Sequence, residues 1–388
     1  MKPRTLQQHF SLLREFSVPM IAGVMVALIW ANLDPAGYHR FDTMPILGSL
    51  SFHFLANDIF MVLFFGIAAV EITQSCLPGG DLHPFSRAIN PLLATLGGVL
   101  GPAVTYTLLN RFFGLEAFVN GWGIPTATDI ALAWLAARAV FGSAHPAVSF
   151  LLLLAVFDDA IGLAIIALFY PDPSRQPEPV WLLLTLGGMA FAYALRRLDV
   201  RNYWPYLIAG GGLSWAGLHL AGLHPALALV FIVPFLPHAR RETVHLFEEN
   251  PADYSTLARF EHEWKATVDV GLFIFGLANA GVEFSNTGTV TWLVLASLLI
   301  GKTAGIFLFG SMAHLAGFRL PGGIRKRDLL VIGVVAGTGF TVAIFVAGQA
   351  FVDHTVMEAA KMGAMYSAVA VLLGALLGRL LGVWRCVR

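Results

Sequence analysis

Charge is what this chain has least of. Only 12% of its 388 residues are charged, 24 basic residues balance 24 acidic ones, and the formal net charge is zero. Soluble domains carry about 25% charged residues. A chain of this length with so few has too little polar surface to cover a water-facing core. Neutrality also removes the basic footprint of a nucleic-acid binder and the acidic tail of a solvating segment. Cysteine is nearly absent as well: Cys76 and Cys386 lie far apart, giving neither a disulfide framework nor metal-ligand spacing. No low-complexity linker interrupts the chain, and its longest polar stretch, 237–265, has the length of a loop or surface helix. The first apolar run, 19–33, is followed by no small-residue cleavage pattern, which predicts a retained helix and not a signal peptide.

What remains is apolar: 57% of residues are hydrophobic and the mean hydropathy is +0.72. A helix needs about 20 mostly apolar residues to cross a hydrocarbon layer of about 30 Å. Such runs centre near Val26, Leu63, Gly98, Leu132, Ala160, Leu186, Gly212, Leu229, Gly276, Leu298, Ala343 and Leu372. They predict an all-α integral membrane protein of about twelve transmembrane helices, the seventh and eighth being short. The expected organisation is a cytoplasmic N-terminal segment 1–17, a single polytopic domain 18–382 and a cytoplasmic tail 383–388. Basic loops stay in the cytoplasm. With both termini inside, alternate gaps hold most of the 24 basic residues, among them Arg87, Arg138, Arg196, Arg197, Arg201, Arg325, Lys326 and Arg327. The outer gaps hold only Arg40, Arg111, Arg175 and Lys361.

Four charges lie at bilayer depth, where each costs about 2.5–3.5 kcal/mol and needs a partner, a cavity or a task. Asp158 and Asp159 interrupt the apolar run 149–169 near its middle, Asp129 follows Thr128 in the fourth run, and Lys302 is central in the tenth. Adjacent helical residues point about 100° apart, so Asp158 and Asp159 face different neighbours. One buried ion pair would be ordinary helix–helix glue. One lysine, however, cannot neutralise three carboxylates, so at least one acid is protonated, solvated or cation-bound. Carboxylate and hydroxyl oxygens suit a hard cation such as Na⁺, and burial favours the protonated form of a carboxylic acid. A site where the two compete, open alternately to each side, exchanges them.

Helix breakers form a second signal. Gly121-Trp-Gly-Ile-Pro-Thr126 lies in the fourth run and Gly333-Val-Val-Ala-Gly-Thr-Gly-Phe-Thr341 in the eleventh. Paired breaks in corresponding spans of two halves point to a transporter site, and unwound backbone is tolerated there only against protein or water. Inward-pointing half-helix N-termini would be offset by Asp129, and opposing C-termini by Lys302.

These residues resemble a known family. Pro125-Thr-Ala-Thr-Asp-Ile-Ala131, Phe157-Asp-Asp159, Leu277-Ala-Asn-Ala-Gly-Val282, Ile300-Gly-Lys302 and Gly339-Phe-Thr341 are similar, in the same order, to motifs of the NhaA sodium/proton antiporters. The resemblance runs from about Asn57 to the last span. It implies that Asp158 and Asp159 bind cation and proton, and that Asp129, Thr128 and Thr341 belong to a crossed, unwound assembly. Lys302 would pair with Asp158 until a cation breaks the pair. Asp58 matches a polar position of the second span, and Glu71, His224 and Glu261 match positions linked to pH response or coupling. The family further implies inverted repeats with two crossed broken helices (spans 4 and 11), a homodimer and electrogenic exchange. The segment 48–54 is a candidate dimer hairpin. One departure stands out: Ser75 occupies the place of a second family glutamate, which depletes the cytoplasmic acidic cluster. Read without the family, His224 beside Pro225 is an interface residue, and Glu71 and Glu261 are ordinary helix-end carboxylates.

The expectation is therefore a secondary Na⁺ (or Li⁺)/H⁺ antiporter of a bacterial inner membrane, serving pH and sodium homeostasis. Its partners would be those ions, the lipid bilayer and a second copy of the chain, with no cofactor and no nucleic acid. The alternative, a sodium-coupled solute symporter, needs more polar groups near the breaks than the sequence supplies. An intramembrane enzyme is disfavoured, since neither Asp158-Asp159 nor Asn57-Asp58 continues into a DDxxD pattern and no GxGD is present.

Overall fold

The structure, a computed structural model, describes residues 18–47, 50–77, 85–142, 145–171, 178–238 and 255–383. The expected cytoplasmic segment 1–17 and the tail after Val383, with Cys386, lie outside the described residues, as do Gly48 and Ser49. Among the described residues the only β structure is an antiparallel pairing of Pro45–Leu47 with Leu50–Ser51.

Among the described residues, six helices are long and apolar enough to cross a membrane: Phe52–Cys76, Ala88–Phe113, Pro146–Phe169, Pro179–Arg197, Thr289–Leu315 and His354–Leu380. Two bent pairs, Glu116–Thr126 with Ile130–Phe141 and Lys326–Ala336 with Phe340–Ala350, bring the number to eight if each pair is counted as one span. Pro19–Leu33 and Pro225–Phe235 are shorter apolar helices, and Gly212–Leu220 and Thr256–Asn279 are also helical. Their outward side chains are themselves apolar: Leu183 is 65% exposed, Ile300 66% and Leu372 70%. At about 25 cal/mol per Å² of apolar surface, such faces are unfavourable in water and neutral in hydrocarbon. The chain is a multi-pass membrane protein.

The chain divides into two compact units. The first comprises residues 1–41, 84–162 and 276–388, and its apolar core includes Phe141, Phe150, Leu154, Ile306, Leu329 and Ile332. One helix crossing in it is made by glycine. Gly97 and Gly101 of Phe85–Phe113 face Gly301 and Gly305, and a Cβ on Gly97, Gly101 or Gly305 would land on backbone atoms of the facing helix. Lipid-embedded helices gain little from hydrophobic burial against each other, so small residues that let backbones approach supply the van der Waals contact. This approach presses the turn containing Lys302 into the interior.

The second unit comprises residues 42–83 and 163–275. Its core gathers Val70, Tyr206, Leu229, Ile232 and Phe260, and the hairpin belongs to it. Asp58 lies in a π-helical turn, Leu55–Phe60, continued by Met61–Cys76.

Gly305→Leu should overpack the glycine crossing by about 1–3 kcal/mol or more and lower the thermal unfolding midpoint of the detergent-purified protein. Gly187→Leu, with open space around it, should leave the midpoint nearly unchanged.

Candidate functional site

The two helix breaks create the site. Pro125 ends the helix Glu116–Thr126, Ala127 is extended, and Asp129 starts Ile130–Phe141 after a 54° bend. In the other pair, Gly337, Thr338 and Gly339 separate Lys326–Ala336 from Phe340–Ala350 at a 50° bend. Helix ends leave amides and carbonyls without intrahelical partners, and hydrocarbon offers none.

The two breaks answer each other. Asp129 N donates to Thr338 O at 2.6 Å, and Thr128 Oγ1 reaches Ala336 O at 3.0 Å, the last carbonyl of Lys326–Ala336. Gly339 N donates to Ser367 Oγ at 3.0 Å. The carboxylate of Asp129, 4% exposed, serves two helix N-termini. Its Oδ1 accepts from Leu132 N at 3.0 Å and caps its own helix, while Oδ2 accepts from Thr341 N at 3.2 Å and from Thr341 Oγ1. A negative charge there meets the positive ends of both helices. Lys302 sits at the opposite pole, with Nζ donating to Thr126 O at 2.6 Å, the terminal carbonyl of Glu116–Thr126.

Lys302 also meets Asp158. Nζ lies 2.5 Å from Asp158 Oδ2, both side chains are completely buried, and Thr128 Oγ1 stands 2.6 Å from the same oxygen. Lys302 closes a π-helical turn, Ser297–Lys302, a distortion common at functional sites because it re-aims a side chain without ending the helix. Asp159 follows on Pro146–Phe169 and is 7% exposed. Thus Asp129, Thr128, Asp158, Asp159, Lys302 and Thr341 all belong to the first unit. Within this group of six, the ammonium of Lys302 pairs directly with the carboxylate of Asp158.

The remaining residues, Asp58, Glu71, His224 and Glu261, belong to the second unit. Glu71, Glu261 and Lys265 are near enough to act on one another electrostatically. His224 is 8% exposed and caps Pro225–Phe231, its Nδ1 accepting from Ala226 N at 3.2 Å.

Sequence reasoning missed three participants. Gln74 Nε2 donates to Glu261 Oε2 at 2.8 Å, beside the position where Ser75 replaces a glutamate. Met20 Sδ lies 3.0 Å from Thr341 Oγ1, and Ser367 caps the second break. Gln74 was findable as a polar residue one position from the departure; Met20 and Ser367 carry no local signal.

A helical membrane protein with two bent helix pairs whose breaks meet beside buried carboxylates and a lysine has the build of a secondary transporter, a class in which broken helices line a polar site. The chain belongs to the Na⁺/H⁺ antiporter 1 family, whose profile matches residues 10–383. It is 69% identical to "Na(+)/H(+) antiporter NhaA 2" of Pelobacter propionicus, over 97% of this chain and 99% of that one. It is 64% identical to "Na(+)/H(+) antiporter NhaA" of Geobacter sulfurreducens, over 98% and 100%. Among solved structures, the sodium proton antiporter MjNhaP1 from Methanocaldococcus jannaschii at pH 8 matches with a TM-score of 0.51 over 94% of this chain and 97% of that one. At 15% identity that likeness is one of fold.

Lys302→Met should destabilise strongly, by about 3–5 kcal/mol, because it strands a buried carboxylate; Asp158→Asn/Lys302→Met should recover much of the loss. Thermal unfolding of the purified variants checks both. Thr341→Val should cost about 1–3 kcal/mol by removing a donor from buried Asp129, and this loss should shrink in the background of Asp129→Asn.

Proposed function

We propose that this chain is a Na⁺ (or Li⁺)/H⁺ antiporter of the bacterial inner membrane, extruding sodium against proton entry through one carboxylate site that opens alternately to each side. The observation that carries the reading is the buried Lys302–Asp158 pair with Asp159 beside it and Asp129 held at two helix N-termini. Family membership supports the ions, and the chemistry of these residues supports the sites.

In this mechanism the inward-open site deprotonates, and Asp158 and Asp159 take up the cation with their oxygens. A cation on Asp158 displaces the ammonium of Lys302, since two positive charges cannot share one buried carboxylate oxygen. Thr128 transmits the change. Its hydroxyl has one hydrogen, yet it faces two acceptors, Asp158 Oδ2 and Ala336 O. When Asp158 is ionised it attracts that hydrogen; when Asp158 is protonated it donates to Thr128, and the hydrogen turns to Ala336 O. Loading is thereby felt at the end of Lys326–Ala336. The unit carrying both breaks then rocks, the cation leaves outside, and the carboxylates reprotonate. Exchange is electrogenic if more than one proton returns per cation, with Lys302 or Asp159 supplying the second.

The same reading takes the domain over 18–382 as one transporter of twelve spans with both termini inside. Its two bent pairs cross as corresponding spans of inverted repeats, an arrangement supported by the bonds between the breaks. The segment 48–54 is its homodimer contact, a reading supported by the antiparallel pairing of Leu50–Ser51 within it to Pro45–Leu47. Asp58, Glu71, His224 and Glu261 tune the response to pH, with Gln74 holding Glu261.

In inverted vesicles, adding Na⁺ or Li⁺ across pH 6 to 9 should dissipate an imposed ΔpH. Asp159→Asn should abolish the response while leaving protein levels intact. Sodium-dependent dissipation persisting in that variant would remove Asp159 from the site, and its absence from the wild type at every pH would sink the antiport reading.

A further inference from the structure

Away from the carboxylates, the first unit contains a cavity of about 370 Å³ walled by His145, Gly323, Arg325, Arg327, Asp328 and Gly382. Three distant stretches of chain converge on it. Gly323 and Gly382 have φ of +95° and +63°, conformations that only glycine adopts without strain, and these turns leave the wall without a side chain. Around the opening stand mostly donors. Arg327 Nη1 donates to Leu381 O at 3.1 Å, which fixes its guanidinium and leaves four further N–H groups. His145 Nδ1 accepts from Ala147 N at 3.2 Å, so the neutral ring carries its hydrogen on Nε2. Asp328, 5% exposed, is the one acid of the wall, and its Oδ2 is engaged by Arg325 N at 2.7 Å. It caps Lys326–Ala336, so the wall holds two arginines and a single, already engaged carboxylate.

We propose that this cavity binds a phosphate-bearing anion. Guanidinium forks match phosphate oxygens in pairs, and basic pockets between membrane helices on the cytoplasmic side receive phospholipid headgroups. Arg325, Lys326 and Arg327 lie in the gap that the charge bias assigns to that side. The cavity adjoins the start of Lys326–Ala336, an 11-residue helix about 16 Å long, whose far end accepts Thr128. An occupant therefore clamps one limb of a broken span from outside the ion site.

Binding here is independent of exchange at Asp158 and Asp159, so it is read on purified full-length protein in neutral detergent with no transport measured. Thermal unfolding is followed while phosphatidylglycerol, phosphatidylcholine or inorganic phosphate is titrated. Phosphatidylglycerol should raise the midpoint saturably, phosphatidylcholine should not, and Arg325→Gln/Arg327→Gln should weaken the effect at least tenfold. Arg196→Gln/Arg197→Gln, outside the cavity, should retain it. A saturable shift with inorganic phosphate but not with the lipid, lost in the same variant, would keep the site and assign it to a soluble phosphate compound. Should the double variant fail to fold, Arg325→Gln alone, whose side chain is exposed, carries the test. Equal titrations in wild type and variant, or no anion-specific shift in the wild type, would overturn the proposal.

Discussion

Backbone unwound inside hydrocarbon has to find partners for its free amides and carbonyls, and in this protein the two breaks find them in each other. Asp129 N meets Thr338 O and Thr128 meets Ala336 O, so neither break closes without its counterpart. The charges follow from the same constraint. Two helix N-termini converge on Asp129, and a helix C-terminus receives Lys302. A carboxylate and an ammonium that would be costly at this depth are held by fixed dipoles and hydrogen bonds.

That arrangement leaves the pair Asp158–Lys302 finely placed. Fully buried, it owes its persistence to geometry: the ammonium is shared between Asp158 and Thr126 O, and the carboxylate between Lys302 and Thr128. Such pairs are weak sources of stability, because desolvation offsets most of the attraction, but they respond sharply to any third charge. In the proposed mechanism this responsiveness is the function. The glycine crossing of Gly97 and Gly101 with Gly301 and Gly305 supplies the rigidity, bringing backbones into contact one residue from Lys302. A pair that responds to charge thus rests on a close-packed crossing.

Much of this was legible in sequence because it rests on local signals. A charge in an apolar run marks itself, as Asp158, Asp159, Asp129 and Lys302 do. Pro125 and the glycines at 337 and 339 mark the breaks, since proline and glycine act on their own backbone. Other features had no such signal. Nothing in the run containing Ser367 announces that its hydroxyl caps a break 28 residues earlier. The π-helical turns at Asp58 and Lys302 and the use of His224 as a helix cap depend on packing. The basic stretch Arg325–Lys326–Arg327 served in the sequence only to orient the loops; that it borders a cavity is visible only once His145 and Gly382 arrive from elsewhere.

By itself, the sequence determined the solvent, which charges lie within apolar runs and the places where helices stop. These are set by composition, by position within an apolar run and by intrinsic backbone limits, all readable along one dimension. The tertiary structure decided partnership: Lys302 to Asp158 and Thr126, Thr341 to Asp129, Thr128 to both Asp158 and Ala336, Gln74 to Glu261. A hydrogen bond or ion pair is a matter of a few ångströms between groups far apart in the chain, and only packing brings them there.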